Sequence, residues 1–290
     1  MKKIIACLSG LLLLTTSPAS AASCEDPRPL RFALSPVVKA EAQMAQYRPL
    51  VERLEQHLGR RVELIPAASY GSVVEGLLAG GVDLAELGPA SYAMAMSRGA
   101  GIVAFASFAQ RTSPLTEAST RYRSLLIVRR DAGFGRLEQL RGRTVSLTDP
   151  ASTSGSVLPR LAIDELTRTP LEQFFQRVTF AGSHDRAITA VQRRLVDAAF
   201  VSSSRLDEAL RRGTVAPGEI AILWQSTPIP YDPFVLRERL CPALAARIRQ
   251  VFLGDTTALQ GMFRELNMTG FVAAGDEDYR EIRELFGSRQ

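Results

Sequence analysis

Residues that ligate metals are scarce in this chain, which has only two histidines and three cysteines among 290 residues. The histidines, His57 and His184, lie far apart in the sequence. No pair of cysteines or histidines has the spacing of a zinc site. We therefore expect the protein to bind neither a metal nor another cofactor.

Long hydrophobic runs are also lacking. Beyond residue 21, no segment approaches the roughly 18 uncharged apolar residues that a membrane helix needs. The start of the chain differs, because a short basic stretch precedes an apolar run over residues 4–14 and a small-residue sequence ends at Ala21. This order is typical of a cleaved export signal. We predict that residues 1–21 are a signal peptide and that the remainder is exported and soluble.

Blocks of positive charge do not occur. The net charge is +5, two of the lysines lie in the predicted signal, and the other basic residues alternate with acids. A nucleic-acid-binding protein usually concentrates its basic residues on one face. The pattern therefore favours an ordinary solvated surface rich in arginine, and we expect no nucleic-acid partner.

The few cysteines still allow one disulfide. Cys7 is lost with the signal, which leaves Cys24 and Cys241 as an even pair in an oxidising compartment. We predict a disulfide between them. Two alternatives stay open: Cys24 lies just past the apolar run, where a lipoprotein carries its lipid, although no leucine stands three residues before it, and both thiols could be free.

Short apolar runs alternate with helical patterns in two series, which is typical of an α/β fold. The first series predicts strands at residues 30–34, 62–65, 82–87 and 102–108, with helices at 49–58, 71–79 and 90–97. The second predicts strands at residues 124–129, 144–147, 178–180, 196–201 and 220–224. The tail beyond the proline-rich residues 228–233 is predicted to be largely helical.

Two lobes follow from these two series. We predict a first lobe of residues 22–110 plus 226–290 and a second of residues 111–225, each a mostly parallel sheet flanked by helices. The chain crosses between them near residues 109–123 and 225–233, and two crossings make a hinge. Ligands of such sheets bind outside the carboxyl ends of the strands.

Three hydroxyl residues follow one of the predicted strands. Ser152, Thr153 and Ser154 come after residues 144–147 and open a helix. Their hydroxyls and the free N–H groups of the helix start can all donate to an anion. One hydroxyl would suffice as a helix cap, so three in succession indicate an anion site.

Three other positions have chemistry that fits this site. His184 opens a helix after residues 178–180 and can donate a ring N–H or carry a positive charge, and Tyr70 offers a hydroxyl in the first lobe. Asp232 stands before Pro233 in the second crossing. A carboxylate there would accept from the hydroxyl of phosphite, phosphonate or phosphate, whereas sulfate leaves it unmatched.

These elements resemble the phosphonate/phosphite-type periplasmic solute-binding proteins of ABC importers. The resemblance extends from about residue 30 to residue 234. It is carried by Ser69-Tyr70, residues 82–89, Ser152-Thr153-Ser154-Gly155 with Pro159-Arg160, Phe174-Phe175, Gly182-Ser183-His184-Asp185 and Val196-Asp197-Ala198. It implies a two-lobed type II fold, a periplasmic location, an importer as partner, and ligand contacts from Tyr70, Ser152, Thr153, Ser154, His184 and Asp232.

The sequence departs from this family at two places. Ser204 stands where aminoethylphosphonate binders have an acid for the amine, and Glu86 stands where an aromatic residue is common. We therefore expect a compact ligand such as phosphite, phosphate or methylphosphonate, with Glu86, Ser204 and Tyr231 as further possible contacts.

Other functions remain compatible with the same site. A sensor subunit for a membrane histidine kinase would use the same fold. A nucleophilic triad of Ser154, His184 and Asp185 or Asp232 would make an enzyme, but no serine lies in a Gly-x-Ser-x-Gly turn. We expect a monomeric binding protein without catalytic activity.

Overall fold

The computed structural model describes residues 24–116 and 120–287, so the predicted signal peptide lies outside the described residues. Two sheets, each flanked by helices, form two lobes. Across the described ranges no helix is long and apolar enough to cross a membrane.

The first sheet has six strands in the order β13-β4-β12-β3-β1-β2. Its strands are β1 (Leu30–Leu34), β2 (Val62–Pro66), β3 (Leu84–Glu86), β4 (Ile102–Gln110), β12 (Pro233–Arg237) and β13 (Met268–Ala273). Its helices are α1 (Ala40–Leu58), α2 (Tyr70–Leu78), α3 (Pro89–Ser97), α8 (Pro242–Leu253), α9 (Gln260–Glu265) and α10 (Arg280–Gly287).

The second sheet has five strands in the order β10-β6-β9-β7-β8. Its strands are β6 (Ser124–Arg129), β7 (Thr144–Leu147), β8 (Arg177–Phe180), β9 (Ala198–Ser202) and β10 (Ile220–Gln225). Its helices are α4 (Leu158–Thr167), α5 (Leu171–Phe174), α6 (His184–Gln192) and α7 (Ser203–Arg211), and a π-helical turn, Thr153–Val157, precedes α4.

Both sheets are mostly parallel, as predicted, with β12 and β13 of the first sheet and β6 of the second running in the opposite direction. In the first sheet β12 lies antiparallel between β3 and β4, and in the second β6 lies antiparallel between β9 and β10. Each of these strands is the first that the chain forms in its lobe after a crossing. Such a strand starts at the hinge, so it runs in the direction opposite to the strands that end at the hinge.

The two crossings are paired with each other. β5 (Arg121–Tyr122) and β11 (Ile229–Pro230) form a short antiparallel ribbon between the sheets. Tyr122 of one crossing and Tyr231 of the other meet edge to face, with ring centroids 5.5 Å apart. The hinge is therefore a defined hydrogen-bonded element with an aromatic contact.

The structure departs from the sequence-based prediction at two places. Helix α1 begins at Ala40 and not at residue 49, because its first turns bury glutamines in place of apolar residues, and Gln43 donates to the Ser35 carbonyl at 2.8 Å. The tail is largely helical, as predicted, but it also contributes β12 and β13, which complete the first sheet. Pro233 of β12 has no N–H to donate to a neighbouring strand, and Gly270 of β13 lies at a register shift. Both residues weaken the strand pattern in the sequence.

The amino-terminal segment is attached to the first lobe. Cys24 and Cys241 form a disulfide, and Cys241 is the N-cap of α8. Glu25 accepts from the Cys241 N–H at 2.9 Å and donates to the Arg239 carbonyl at 2.8 Å. The bond closes a loop that contains most of the chain, since 217 positions separate the two cysteines.

We predict that loss of this bond destabilises the protein. Replacing both cysteines by serine should lower the free energy of unfolding by about 2–4 kcal/mol, because a long closed loop restricts the unfolded chain. Urea unfolding of both proteins, with and without reductant, measures this. Reductant should shift the midpoint of the wild type only. Equal midpoints for all four samples would show that the bond does not stabilise the fold.

Candidate functional site

A narrow cavity with a volume of about 20 Å³ lies where the two lobes and the hinge ribbon meet. All three parts contribute side chains to it. The first lobe supplies Val37, Tyr70, Glu86 and Gly88, the second lobe supplies Ser152, Thr153, His184, Ser202, Ser204 and Arg205, and the hinge supplies Tyr122, Tyr231 and Asp232.

The hydroxyl loop of the second lobe occupies one wall. The Ser152 hydroxyl accepts from the Gly155 N–H at 3.1 Å, which tightens the turn. A side chain at Gly155 would collide with Thr148, whose Oγ1 lies 2.2 Å from the position of a Cβ, so only glycine fits there. The Thr153 hydroxyl accepts from the Ala90 N–H of α3 at 2.8 Å. Its own proton is therefore left to donate elsewhere, and the cavity is beside it.

His184 is buried beside this loop and is neutral. Its Nδ1 accepts from the Ser202 N–H at 3.1 Å, so the ring proton belongs on Nε2. Burial, with a smaller effect from Arg205, lowers the pKa of His184 to about 3. Of the two roles considered for His184, a ring N–H donor or a positive charge, the ligand-free structure favours the donor. An Nε2–H donor remains available.

Tyr70 contributes an unpaired donor from the first lobe. It is the first residue of α2, and its buried hydroxyl makes no hydrogen bond of normal geometry in the described residues, although the Ser152 side chain lies near it. Burial raises its pKa well above the usual value, so the hydroxyl keeps its proton. A buried polar group without a partner is costly. This hydroxyl is therefore placed to gain from a ligand oxygen.

Two acids face the cavity, and both bind protons more tightly than usual. Burial raises the pKa of Glu86 to about 7, although its hydrogen bond from the Tyr47 hydroxyl opposes the shift. Burial and the nearby Glu86 carboxyl raise the pKa of Asp232 well above its usual value. The carboxyls can therefore accept or donate a hydrogen bond near neutral pH.

Arg205 supplies the positive charge, and the sequence reasoning missed it. Burial alone would lower its pKa, but Glu208 and the facing Tyr231 and Tyr47 raise it, so the guanidinium is charged. Glu208 holds the side chain through an ion pair at 2.6 Å. The detectable signal was its place in the first turn of α7, where a helix disfavours a cation.

The structure brings most of the predicted residues together. Tyr70, Ser152, Thr153, His184 and Asp232 line the cavity, as do Glu86, Ser204 and Tyr231. Ser154 is buried but is not a lining residue; its hydroxyl lies beside that of Tyr122. Tyr122 itself was not predicted, since it lies in a polar crossing without a motif. In the part of the chain that the structure describes, no cluster of three metal-ligating residues occurs.

We predict that Glu86 makes stability depend on pH. The pKa of its carboxyl is about 7 in the folded protein and about 4.5 in an unfolded chain, so stability falls as pH rises from about 4.5 to about 7. Glu86→Gln removes this loss, which is at most about 3 kcal/mol. The stability of the variant relative to the wild type should therefore be higher at pH 8 than at pH 5, as measured by urea unfolding without ligand.

Glu75→Gln is the matched control. Glu75 is exposed and pairs with Arg98, which lowers its pKa, so this change should have the same effect at both pH values. Tyr47→Phe removes the hydrogen bond to Glu86 and should move the transition to higher pH. Parallel pH profiles for wild type and Glu86→Gln would contradict the assignment.

Known proteins share this architecture. The chain matches the family of phosphonate periplasmic substrate-binding proteins of ABC transporters over residues 32–279. It is 28% identical to the phosphate-import protein PhnD of Mycolicibacterium smegmatis, covering 87% of this chain and 79% of that protein. It is also 28% identical to the phosphonates-binding periplasmic protein of Escherichia coli, covering 98% and 84%.

A solved structure agrees with the fold. PhnD1 of Prochlorococcus marinus in complex with methylphosphonate superposes with a TM-score of 0.76 at 17% identity, covering 89% of this chain and 97% of that one. The two-lobed type II fold is thus confirmed. Because the family match spans most of the chain, this protein belongs to the phosphonate-type periplasmic substrate-binding proteins of ABC transporters.

Proposed function

We propose that the protein captures a compact phosphorus oxyanion, either phosphate, phosphite or an alkylphosphonate such as methylphosphonate, and delivers it to an ABC importer. The observation that carries this proposal is the unpaired Tyr70 hydroxyl, which faces Ser152, Thr153, His184 and Arg205 across one cavity. Donors from both lobes then converge on one anion.

The electrostatics favour an oxyanion that can carry a proton. Arg205 offers one positive charge, and burial raises the pKa of both Glu86 and Asp232, that of Glu86 to about 7. A ligand hydroxyl and a carboxyl group can share one proton between them. Phosphate, phosphite and phosphonates meet this condition more readily than sulfate does.

The narrow cavity favours a small substituent on phosphorus. Ser204 bonds the Ser202 hydroxyl at 2.6 Å and offers no charge to an amine. The names of the Mycolicibacterium and Prochlorococcus relatives, which refer to phosphate and methylphosphonate, point to ligands of this size.

The contacts support binding and not catalysis. His184 Nδ1 accepts from a backbone N–H, so no carboxylate orients the ring as in a nucleophilic triad. Ser154 does not line the cavity, and Asp185 accepts instead from the Ser183 hydroxyl.

We further propose a periplasmic monomer that has lost residues 1–21, with lobes of residues 22–110 plus 226–290 and 111–225.

A ligand panel tests this function. Phosphate, phosphite, hypophosphite, methylphosphonate, aminoethylphosphonate, sulfate and arsenate should be compared by thermal shift. We expect phosphate, phosphite or methylphosphonate to stabilise the protein most, by about 2.7 kcal/mol at a hundredfold excess over its Kd. The radius of gyration in small-angle scattering should fall with that ligand as the lobes close. No stabilisation by any phosphorus oxyanion would refute the function.

A matched pair of tyrosine variants locates the binding in this cavity. Tyr70→Phe removes an unpaired buried hydroxyl, so the ligand-free protein should be as stable as the wild type or more stable, whereas calorimetric affinity should fall by about 1.5–3 kcal/mol. Tyr92→Phe removes a hydroxyl that bonds Asp276 at 2.9 Å outside the cavity, and affinity should stay unchanged. Equal affinities for both variants would place the ligand elsewhere.

We predict that Asp232 sets the discrimination against sulfate. As a carboxylate it accepts from the ligand hydroxyl, which sulfate lacks. Asp232→Asn supplies an amide that can also donate, so the ratio of sulfate to phosphite affinity should rise. The wild-type ratio should also rise as pH falls, because protonated Asp232 can donate to sulfate. An unchanged ratio in the variant at pH 8 would show that Asp232 does not select the ligand.

A further inference from the structure

Asp149 lies outside the set of cavity-lining residues, yet it joins the two lobes. It follows β7 in the second lobe and is 6% exposed. Its Oδ1 accepts from the Ala151 N–H at 2.9 Å, inside its own loop. Its Oδ2 accepts from the Tyr70 N–H at 3.2 Å, across the cleft. One carboxylate therefore contacts both walls of the site.

The residue that Asp149 holds is the one with the unpaired hydroxyl. Tyr70 begins α2, so its N–H has no acceptor within the helix. The Ser69 side chain accepts from the Ser72 N–H instead and leaves Tyr70 N–H for Asp149. The backbone of Tyr70 is thus fixed by the second lobe, while its side chain faces the cavity.

Two neighbouring contacts make the same connection to α3. The Thr153 hydroxyl accepts from the Ala90 N–H at 2.8 Å, and the Ser91 hydroxyl donates to the Ala151 carbonyl at 2.9 Å. Gly88 is the N-cap of α3, and a Cβ there would stand 3.4 Å from Thr153 Oγ1. The loop of residues 149–153 thereby fits against the starts of two first-lobe helices.

We propose that Asp149 is a positioning residue that clamps the lobes in the closed arrangement and holds Tyr70 toward the ligand. The inference rests on the proposed function, because a clamp matters only if closure retains a ligand. In an open protein the carboxylate would keep its bond to Ala151 and exchange Tyr70 N–H for water. The clamp therefore forms after the ligand enters, and it slows ligand release more than it affects capture.

Asp149→Asn tests the clamp with little change in shape. Asparagine keeps one acceptor for Ala151 but presents an NH₂ group to the Tyr70 N–H. Release of radiolabelled phosphate, and separately of methylphosphonate, should be about tenfold or more faster, as expected from the loss of a hydrogen bond to a charged group. The association rate should stay near the wild-type value, because capture precedes closure.

Asp197→Asn is the matched control. The Asp197 carboxylate accepts from both the N–H and the hydroxyl of Thr144 at 2.8 Å, entirely within the second lobe. Its loss should affect stability without faster release. If Asp149→Asn does not fold, Asp149→Ser replaces it, since a serine hydroxyl can keep the turn with Ala151 but is too short for Tyr70.

The outcomes separate the clamp from the function. Faster release from an Asp149 variant alone, with a larger radius of gyration when ligand is bound, would support the clamp. Release at the wild-type rate, or an equal acceleration by Asp197→Asn, would overturn the clamp while the function stands. A wild type that retains neither phosphate nor methylphosphonate would overturn the function, and the clamp with it.

Discussion

A small anion that leaves water must be given donors on every side, and neither lobe has enough of them alone. The second lobe offers hydroxyls and neutral His184 at the carboxyl ends of its strands, and the first lobe offers the Tyr70 hydroxyl. Both sets are complete only when the two sheets face each other. The hinge ribbon, the short loops at the strand ends and the interlobe hydrogen bonds are consequences of this single requirement. The unpaired hydroxyl of Tyr70 shows where the requirement is still unmet in the absence of ligand.

Charge balance explains why acids occur in a cavity for an anion. Arg205 is fixed by Glu208, so its position does not depend on a ligand. Glu86 and Asp232 would repel an anion if both were ionised, but burial favours their protonated forms. A protonated carboxyl group can then donate a hydrogen bond to a charged oxygen of the ligand. To distinguish ligands by the number of protons they carry, the site needs titratable groups such as Glu86 and Asp232. A site made only of cations would attract sulfate and phosphate alike.

Much of this was accessible from the sequence, and the failures have common causes. The meeting of Ser152, Thr153 and His184 at one cavity was predictable because hydroxyls and a helix start at the end of a parallel strand form a local signal. Arg205 and Tyr122 were missed because their role depends on which element they face and not on their neighbours in the chain. Strands β12 and β13 were missed because pairing on the first sheet outweighs the weak propensity of their proline and glycine residues. The sequence left the protonation of His184 open, since the burial and the acceptor role of its ring depend on the packing of β9 against α6.

The hinge links ligand contact to lobe position. Tyr122, Tyr231 and Asp232 lie in or beside the β5–β11 ribbon, and all three line the cavity. The carbonyl of Asp232 accepts from Ser107 of β4 at 3.0 Å, and that of Tyr231 accepts from Tyr279 at 2.9 Å, so the backbone on this side is held by the first lobe. Under the clamp that we propose, the contacts of residues 149–153 on the opposite side of the cleft form and break with each cycle. A ligand that bonds Asp232 and the hydroxyl loop therefore connects a fixed side to a mobile one. Because the ligand oxygens bond both sides of the cleft, we expect ligand recognition and lobe closure to occur together.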